Sequence, residues 1–309
     1  MKNCAHRIIV LLLLLTSFST GYTQETGKKT VRLFLIGNSF SQNATRYLPQ
    51  LAREGGFTLS IGRAELGGCS LQRHWELAEA AEAGDPKGKA YNGKSLKELL
   101  GSGTWDVVTL QQASILSGDS NTYKPYARKL VEYIHHLQPT ATIVLHQTWP
   151  YRTDAPSFTQ ISGGGHALSA EAMWKQSRAA YHTTAAALQL PLIPVGDAFF
   201  AAQQKSSTTF KKDSAFKPGQ AVAPELPNQA HSLHVGYFYN KKKELDLDTH
   251  HASEAGCYLA GLVWYKFLFG ASPVQIVFKP DAVEDGFAKA LRVIADSVAS
   301  GTDQVQVRR

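Results

Sequence analysis

Residues 31–41 read Val-Arg-Leu-Phe-Leu-Ile-Gly-Asn-Ser-Phe-Ser, and this stretch decides the fold class. A short, mostly apolar run that ends at a glycine is typical of a buried strand, here residues 31–36. A helix is predicted soon afterwards, over residues 45–54, which ends at Gly55-Gly56. The stretch therefore predicts a strand, a tight turn and a helix, which is the unit from which parallel sheets are built.

The same alternation continues along the chain. Further strands are predicted at residues 57–62, 105–111, 142–146 and 192–195, and helices at residues 71–83, 123–137, 168–188, 253–269 and 281–300. Strands separated by helices of this length predict a parallel sheet covered on both faces. We therefore expect an α/β fold, a three-layer α/β/α arrangement around a mostly parallel five-stranded sheet, flavodoxin-like in outline. The helix over 253–269 is expected to be amphipathic.

One long segment interrupts this alternation. Residues 201–247 contain several prolines, a run of polar residues and little periodicity. A stretch of this length inside a domain is usually a functional lid or an excursion over the surface, and both interpretations stay open.

The amino-terminal residues predict export. A basic start and the apolar run at residues 8–15 resemble a secretory signal peptide over residues 1–24, and the run is too short to span a bilayer. Residues 25–309 then form a single predicted domain, located in the periplasm or outside the cell. No later segment reaches the roughly 18 apolar residues that a membrane helix needs.

Charge and cysteine content exclude several classes of protein. The chain has 32 Lys plus Arg and 25 Asp plus Glu, but its basic residues are scattered except for Lys241, Lys242 and Lys243, which suit a solvated loop. We therefore expect no nucleic-acid partner, and we expect a monomer. Cys69 and Cys257 remain after the leader. They are too few for a disulfide framework and have no zinc spacing, so either a bridge or two buried free thiols is possible.

The residues that follow the first strand are candidates for chemistry. Ligands of parallel sheets bind beyond the carboxyl ends of the strands, and Ser39 and Ser41 lie there. A serine on a tight strand-to-helix turn has its hydroxyl at the sheet edge, close to backbone N–H groups that can stabilise an oxyanion. The alternative is that either serine only caps the next helix.

A second candidate segment lies near the other end of the chain, where Asp248-Thr249-His250-His251 precedes the helix over 253–269. A serine nucleophile needs a base, and the base needs a carboxylate that fixes its tautomer. The spacing lets Asp248 contact one ring nitrogen of His251 and leave the other free, while His250 is expected to point elsewhere. The two histidines could instead be surface residues or metal ligands, but no third ligand accompanies them at a recognisable spacing.

Together these segments resemble the SGNH/GDSL-type serine hydrolases. The resemblance covers residues 31–269 and is carried by Gly-Asn-Ser-Phe-Ser after the first strand, Gly67-Gly68-Cys69-Ser70-Leu71 after the second, and Asp-x-x-His before a late helix. The variant motif is closest to a poorly characterised branch of secreted bacterial proteins. The resemblance implies the SGNH hydrolase fold, with Ser39 as nucleophile, His251 as general base and Asp248 as its orienting partner.

The resemblance also implies an oxyanion hole. Its donors would be the backbone N–H of Ser39 and that of Gly67 or Gly68. The sequence departs from the family at Asn38, where Asp is usual, and after the third strand, where Gln111-Gln112-Ala113-Ser114 replaces the expected Gly-x-Asn-Asp. A glutamine amide can donate the same hydrogen bond as asparagine, so Gln112 is the expected third donor and Gln111 the second choice. Either glutamine could instead satisfy backbone groups only.

Several residues are expected to bind substrate: His74, Trp75, Gln111 and Trp149. Aromatic faces beside amide and imidazole donors suit a sugar ring, although core packing explains single tryptophans more often. The resulting hypothesis is an exported serine esterase that removes a small acyl group, such as acetyl, from a small-molecule or polysaccharide ester, without a metal or organic cofactor. The alternatives are a catalytically impaired glycan-binding protein and a hydrolase of lipid or peptidoglycan esters.

Overall fold

Five parallel strands form the central sheet of the computed structural model, which describes residues 29–300. In chain order, the strands are β1 (Thr30–Gly37), β2 (Thr58–Glu65), β3 (Val107–Leu110), β4 (Thr142–His146), β5 (Gln160–Ile161), β6 (Gly165–His166), β7 (Leu192–Ile193), β8 (His234–Tyr239) and β9 (Leu245–Ala252). The sheet has the order β2-β1-β3-β4-β7, and each neighbouring pair is parallel. Strands β5 and β6 form one small antiparallel hairpin, and β8 and β9 form another.

Helices cover both faces of this sheet. In chain order, they are α1 (Ser39–Ala44), α2 (Leu48–Glu54), α3 (Leu71–Glu82), α4 (Leu96–Leu100), α5 (Tyr126–Leu137), α6 (Ala170–Leu188), α7 (Val195–Gln204), α8 (Glu254–Phe269) and α9 (Asp285–Ala299). The predicted three-layer α/β/α fold with a five-stranded sheet is confirmed. None of the helices within residues 29–300 has the length and apolar character required to cross a bilayer. The predicted leader, residues 1–24, lies outside the described residues.

Alternate residues of β1 divide the core into two layers. Val31, Leu33 and Leu35 pack in one cluster with residues of α1, α2, α7, α8 and α9. Phe34 and Ile36 pack in the other with residues of α3, α4, α5 and α6. Since successive side chains of a strand point to opposite faces, this apolar run places β1 at the centre of the fold. It thereby fixes the position of the turn that follows.

The helix predicted over residues 45–54 is wrong in its extent. Two helices occupy this region, because α1 ends at Ala44 and α2 begins at Leu48, with Pro49 in its first turn. Proline has no N–H and is well suited to the first turn, so the second helix starts there instead of continuing the first. As a consequence, Ser39 is the first residue of α1.

The prediction that α8 is amphipathic is also wrong. Fourteen of its sixteen residues are buried. Helices α1, α2, α7 and α9 all contact it, so that apolar side chains are covered on every side.

The long segment between the fifth strand of the sheet and α8 contains more regular structure than expected. Helix α7 begins at Val195, directly after Pro194, and was not predicted. The end of the segment forms the antiparallel β8–β9 hairpin, with an irregularity between His234 and Gly236. Asp248, His250 and His251 therefore lie on strand β9 and not in a loop.

Candidate active site

A continuous chain of hydrogen bonds joins Asp248, His251 and Ser39 at the carboxyl end of β1. The His251 ring approaches Ser39 Oγ with Nε2 at 2.9 Å and Asp248 Oδ2 with Nδ1 at 2.7 Å. Ser39 and His251 are 212 residues apart in sequence. The structure thus brings together the three residues that the sequence analysis assigned to nucleophile, base and orienting partner.

The environment of Asp248 favours its charged form. Burial by itself opposes ionisation, but hydrogen bonds from the His251 ring and from the backbone N–H groups of His251 and His250 hold the pKa of Asp248 well below its ordinary value. An ionised carboxylate accepts the Nδ1–H of His251. Nε2 of that ring is then free to accept the proton of Ser39 Oγ.

Asn38 organises the turn that carries Ser39. Its Oδ1 accepts the backbone N–H of Phe40 at 3.0 Å and so caps α1, and its Nδ2 donates to the carbonyl of Cys69 at 3.0 Å. One side chain therefore joins the serine turn to the glycine turn that follows β2. Asparagine performs both tasks because its amide offers an acceptor and a donor, whereas an ionised aspartate only accepts.

Gly37 lets the turn close tightly. A Cβ at this position would lie 2.2 Å from Ser41 Oγ and 2.9 Å from Gln111 Oε1, distances that no side chain tolerates. Ser41 is buried and donates to Gln111 Oε1, so this serine belongs to the interior and Ser39 is the one presented to the sheet edge.

The glycine turn that follows β2 lies at the surface. Gly67 and Gly68 are exposed, a Cβ built on either would meet no atom within 4 Å, and Gly68 has a φ of +63°. Within residues 29–300, no acceptor takes the N–H of Gly67, Gly68 or Ser39. These are the groups that the sequence analysis assigned to an oxyanion hole.

Three contacts hold strand β9 beside the serine turn. Asn43 Oδ1 of α1 accepts the N–H of Ala252 at 3.0 Å. Trp149 Nε1 donates to the carbonyl of His250 at 2.9 Å, and the N–H of Arg152 donates to the carbonyl of Thr249 at 2.8 Å. The backbone on both sides of His251 is thus fixed by residues of α1 and of the segment after β4.

The expectation that Gln112 is the third oxyanion donor is wrong. Its side-chain amide donates to the carbonyl and the hydroxyl of Thr122, and its Oε1 accepts the N–H groups of Leu71 and Ala113. All of its hydrogen-bonding capacity is therefore used inside the fold, where the side chain is fully buried.

The second choice, Gln111, is also engaged in the interior. Its amide donates to Asn38 Oδ1 while its Oε1 accepts from Ser41. The side chain is 1% exposed, so it supports the serine turn from the protein interior and is not available to substrate. This corrects its expected place in substrate binding.

His74 was expected to bind substrate, but it lies behind the serine turn. It is fully buried, its Nε2 lies 3.1 Å from the carbonyl of Gly37 and its Nδ1 lies 2.7 Å from the hydroxyl of Tyr91. Burial lowers the pKa of His74 to about 4, so the ring is neutral near pH 7. A neutral ring donates to Gly37 and accepts from Tyr91.

The two tryptophans expected in the cleft lie elsewhere. Trp75 packs at the edge of the Tyr133 ring, with the Lys129 ammonium 5.0 Å from its own ring centre, between α3 and α5. Trp149 is completely buried and stacks between Phe40 and Phe199, with ring centres 4.2 and 4.8 Å away. Trp149 therefore contacts both Phe40, which follows Ser39, and His250, which precedes His251.

His250, expected to point elsewhere, also contacts Asp248. Its Nδ1 lies 3.1 Å from Asp248 Oδ1, and its ring centre lies 4.0 Å from that of His251. Tyr151 lies beside it, with ring centres 5.7 Å apart, and the Tyr151 hydroxyl lies 3.0 Å from that of Ser114. Ser114 was not identified as a site group, although it follows a predicted strand.

The structure also answers two questions about metals and thiols. Among residues 29–300, one group of histidine and carboxylate side chains converges closely enough to hold a metal ion, and it comprises Asp248, His250 and His251. Cys69 and Cys257 are both free and buried, and burial raises their pKa to about 12 and about 11. Buried thiols that stay protonated are poor nucleophiles, so neither cysteine competes with Ser39.

The fold and this arrangement define an α/β protein with a Ser–His–Asp hydrogen-bond chain at the carboxyl edge of a parallel sheet. The sequence profile of a family described as a domain of unknown function (DUF4886) matches residues 32–160. None of the curated proteins matches the chain.

Several solved structures are similar to this chain to different degrees. A crystal structure of a DUF4886 family protein from Bacteroides uniformis is 22% identical, covers 91% of this chain and 100% of its own, and has a TM-score of 0.66. A proposed SGNH hydrolase from Slackia heliotrinireducens is 21% identical, with 77% and 98% covered and a TM-score of 0.45. An acetyl xylan esterase, AlAXEase, is 11% identical, with 76% and 98% covered and a TM-score of 0.47. The first shows a shared fold, and no conclusion about this chain follows from the two weaker likenesses.

Proposed function

We propose that this protein is an exported serine hydrolase that cleaves small acyl esters, with an acetyl ester of a carbohydrate as the substrate class. The observation that carries the proposal is the chain from Asp248 through His251 to Ser39, with distances of 2.7 and 2.9 Å. These three side chains satisfy the geometric requirement for an activated serine: nucleophile beside base, and base beside an orienting carboxylate.

In the proposed reaction, Ser39 Oγ attacks the carbonyl carbon of the ester while its proton passes to His251 Nε2. Asp248 balances the charge that the imidazole acquires, and its low pKa keeps it ionised. The imidazolium then gives the proton to the departing alcohol oxygen. Water, deprotonated by the same nitrogen, hydrolyses the acyl-enzyme and restores the serine.

The open backbone N–H groups of Ser39, Gly67 and Gly68 would stabilise the oxyanion of the tetrahedral intermediate. Each such donor contributes on the order of 3 kcal/mol in the transition state. Since Gln111 and Gln112 donate to Asn38 and Thr122, the proposed hole consists of backbone donors alone.

The surroundings of His251 support a polar leaving group. The neighbouring His250 ring is 44% exposed and lies beside the Tyr151 ring, whose hydroxyl is 3.0 Å from that of Ser114. Hydroxyl and imidazole groups suit the alcohol of a sugar better than an acyl chain. The exposed Gly67–Gly68 turn leaves room for a bulky substrate. No cofactor is required by this mechanism.

The test is hydrolysis of 4-nitrophenyl acetate by the wild type, by Ser39→Ala and by His251→Ala. Ser60→Ala is the matched control, because it removes the hydroxyl of an exposed serine on the neighbouring strand β2. We expect both triad variants to lose turnover and the control to retain it. Equal rates for the wild type and Ser39→Ala would end the proposal. Acetate release from acetylated plant and bacterial polysaccharides then identifies the substrate class.

A glycan-binding protein without catalysis is the second candidate, favoured by one observation. Both glutamines after β3 are buried and donate within the fold, to Asn38 and Thr122, so neither supplies the side-chain member of the oxyanion hole that the family resemblance implies. This candidate predicts that wild type and Ser39→Ala bind the same glycan with equal affinity and that neither releases acetate. Reaction of Ser39 with a fluorophosphonate, detected by mass spectrometry, would argue against it.

A further inference from the structure

The Asp248 carboxylate faces two imidazole rings, and the proposed catalytic chain uses one of them. Oδ2 lies 2.7 Å from His251 Nδ1, and Oδ1 lies 3.1 Å from His250 Nδ1. The side chains of His250 and His251 are 44% and 34% exposed, so solutes can reach the cluster from solvent. The second imidazole, that of His250, takes no part in the proton transfers of the proposed reaction.

The three side chains approach the ligand geometry of a transition-metal ion. One ligand atom from each lies within 4.8 Å of the other two. Zinc bound at about 2.0 to 2.1 Å in a tetrahedron holds its ligands about 3.3 Å apart, so a small movement of the exposed rings completes the site. The fourth position stays open for water. Two nitrogen ligands and one carboxylate oxygen select ions of the zinc class over magnesium or calcium, which prefer oxygen.

The charge of the cluster also favours a cation. Asp248 keeps its negative charge because the backbone N–H groups of His250 and His251 donate to Oδ1. Both of its neighbouring rings present Nδ1 toward the carboxylate. Once Nδ1 of each ring has lost its proton, a dication placed between these groups contacts one charged carboxylate oxygen and two nitrogen lone pairs.

We propose that Asp248, His250 and His251 bind a divalent zinc-class ion, and that this ion reversibly blocks the proposed hydrolase. The blocking effect rests on the proposed function, whereas the binding of the ion does not. The ion forms bonds to Nδ1 of both rings and to a carboxylate oxygen. The proton on each Nδ1 leaves through solvent and Nε2 of the same ring takes one up, so no net proton is released.

This change of tautomer explains the block. With a proton on Nε2, His251 donates toward Ser39 Oγ, 2.9 Å away, and can no longer accept the proton of the serine. The ion also takes up the carboxylate that otherwise orients the ring. Removing the ion restores the original tautomer, so the block is reversible by chelation.

The binding test uses Ser39→Ala protein without an affinity tag, titrated with zinc chloride by calorimetry and with cobalt chloride by visible absorption. We expect one ion per chain and a tetrahedral cobalt spectrum. Adding His250→Ala should weaken binding by at least about tenfold, since one of three ligands is lost. The matched control is His135→Ala, which removes one member of the chain's other adjacent histidine pair, His135–His136 on α5, and should change nothing.

Two outcomes would overturn the proposal. One is equal affinity with and without His250, provided that circular dichroism shows both proteins folded. The other is equal weakening by His135→Ala. A folded His250→Asn variant repeats the measurement if His250→Ala does not fold.

The blocking test measures ester hydrolysis by protein that retains Ser39, with zinc and then with excess chelator. Each variant is compared with its own metal-free rate. We expect inhibition at the zinc concentration that saturates the site seen by calorimetry, and recovery of activity with chelator. In His250→Ala, the zinc concentration needed for inhibition should rise about tenfold, in step with the weaker binding. Binding without inhibition would refute the block, and an absence of turnover even without metal would refute the proposed function while leaving the binding result intact.

Discussion

The turn that carries Ser39 and the hairpin that carries His251 are held in different ways. The turn is fixed from inside by buried side chains, because Asn38, Gln111 and Ser41 bond to one another and His74 supports the carbonyl of Gly37. The hairpin is docked by contacts to the backbone of β9 and by the buried His234 of β8, whose Nε2 lies 2.9 Å from the carbonyl of Pro150. A change in the turn should therefore alter both stability and activity, and a change in the hairpin should alter activity mainly.

The largest effect is expected from Asp248→Asn, on the hairpin. The amide cannot balance the charge of the imidazolium and favours the wrong tautomer, so kcat/KM for 4-nitrophenyl acetate should fall about 10⁴-fold. The asparagine Oδ1 can still accept the backbone N–H groups of His250 and His251, so the denaturation midpoint should change little.

The control for this variant is Asp246→Asn, an exposed position of the same strand whose carboxylate contacts Asn240. It should retain wild-type turnover. If Asp248→Asn kept more than about a tenth of the activity, Asp248 would not have the orienting role assigned to it.

In the turn, Asn38→Ala should reduce both the stability of the fold and the activity. It leaves the N–H of Phe40 and the carbonyl of Cys69 without their partner, and it releases the glycine turn. We expect a loss of about 2 to 4 kcal/mol in the free energy of unfolding and about 100-fold in kcat/KM.

Asn38→Asp separates the two contacts of Asn38. The carboxylate can still accept from Phe40 but cannot donate to Cys69. An intermediate loss of activity is expected, and a loss as large as that of Asn38→Ala would mean that the bond to Cys69 dominates. No loss of stability in Asn38→Ala would contradict the comparison between turn and hairpin.

Acid should loosen the turn through His74. Burial lowers its pKa to about 4 in the folded state, against about 6.5 in the unfolded chain, so the unfolded state binds more protons between these values. The contribution of neutral His74 to the free energy of unfolding is fully present above about pH 6.5. It decreases by up to about 1.4 kcal/mol per pH unit as the pH falls toward 4.

Denaturant unfolding at several pH values measures this dependence, and His74→Gln should reduce its slope by nearly one proton. His234 provides the comparison on the hairpin side, since burial lowers its pKa to about 4 as well and its Nε2 lies 2.9 Å from the carbonyl of Pro150. An unchanged slope in His74→Gln would show that this ring is protonated in the folded protein.

The smallest effect is expected from Asn43→Ala, which removes one of the contacts that dock β9. The N–H of Ala252 loses its acceptor, and His251 gains some freedom relative to Ser39. We expect the free energy of unfolding to fall by about 1 kcal/mol and kcat/KM to fall about tenfold. Asn43→Asp keeps an acceptor and should restore most of the activity. If it does not, Asn43 acts by another route.

The parallel sheet could be predicted from local patterns, whereas the choice of Ser39, Asp248 and His251 also depended on the resemblance of their motifs to a known family. The apolar run before Gly37 indicates a central strand by itself, and the spacing of Asp248 and His251 already allows their contact. The rule that parallel strands end at one edge places Ser39 at the carboxyl edge of the sheet, whereas the antiparallel β8–β9 hairpin that carries Asp248 and His251 was not predicted.

The surroundings of the site could not be predicted in the same way. Whether His74, Trp149 or Gln112 faces the cleft or the interior depends on partners far away in sequence, namely Gly37, Phe199 and Leu71. Residue type alone does not distinguish a side-chain amide that is free to bind substrate from one that is hydrogen-bonded to buried backbone groups. The same holds for α8, whose burial on all sides results from helices packed against it.

The placement of Asp248 and His251 on one short strand also matters for how such a chain can diverge. Both residues lie within Leu245–Ala252, at the end of a hairpin, whereas Ser39 belongs to the central strand-to-helix turn. Replacing that one hairpin would remove base and carboxylate in a single event and leave the five-stranded sheet intact. The proposed base and its carboxylate therefore occupy one short segment, whereas the proposed nucleophile belongs to the turn that ends the central strand.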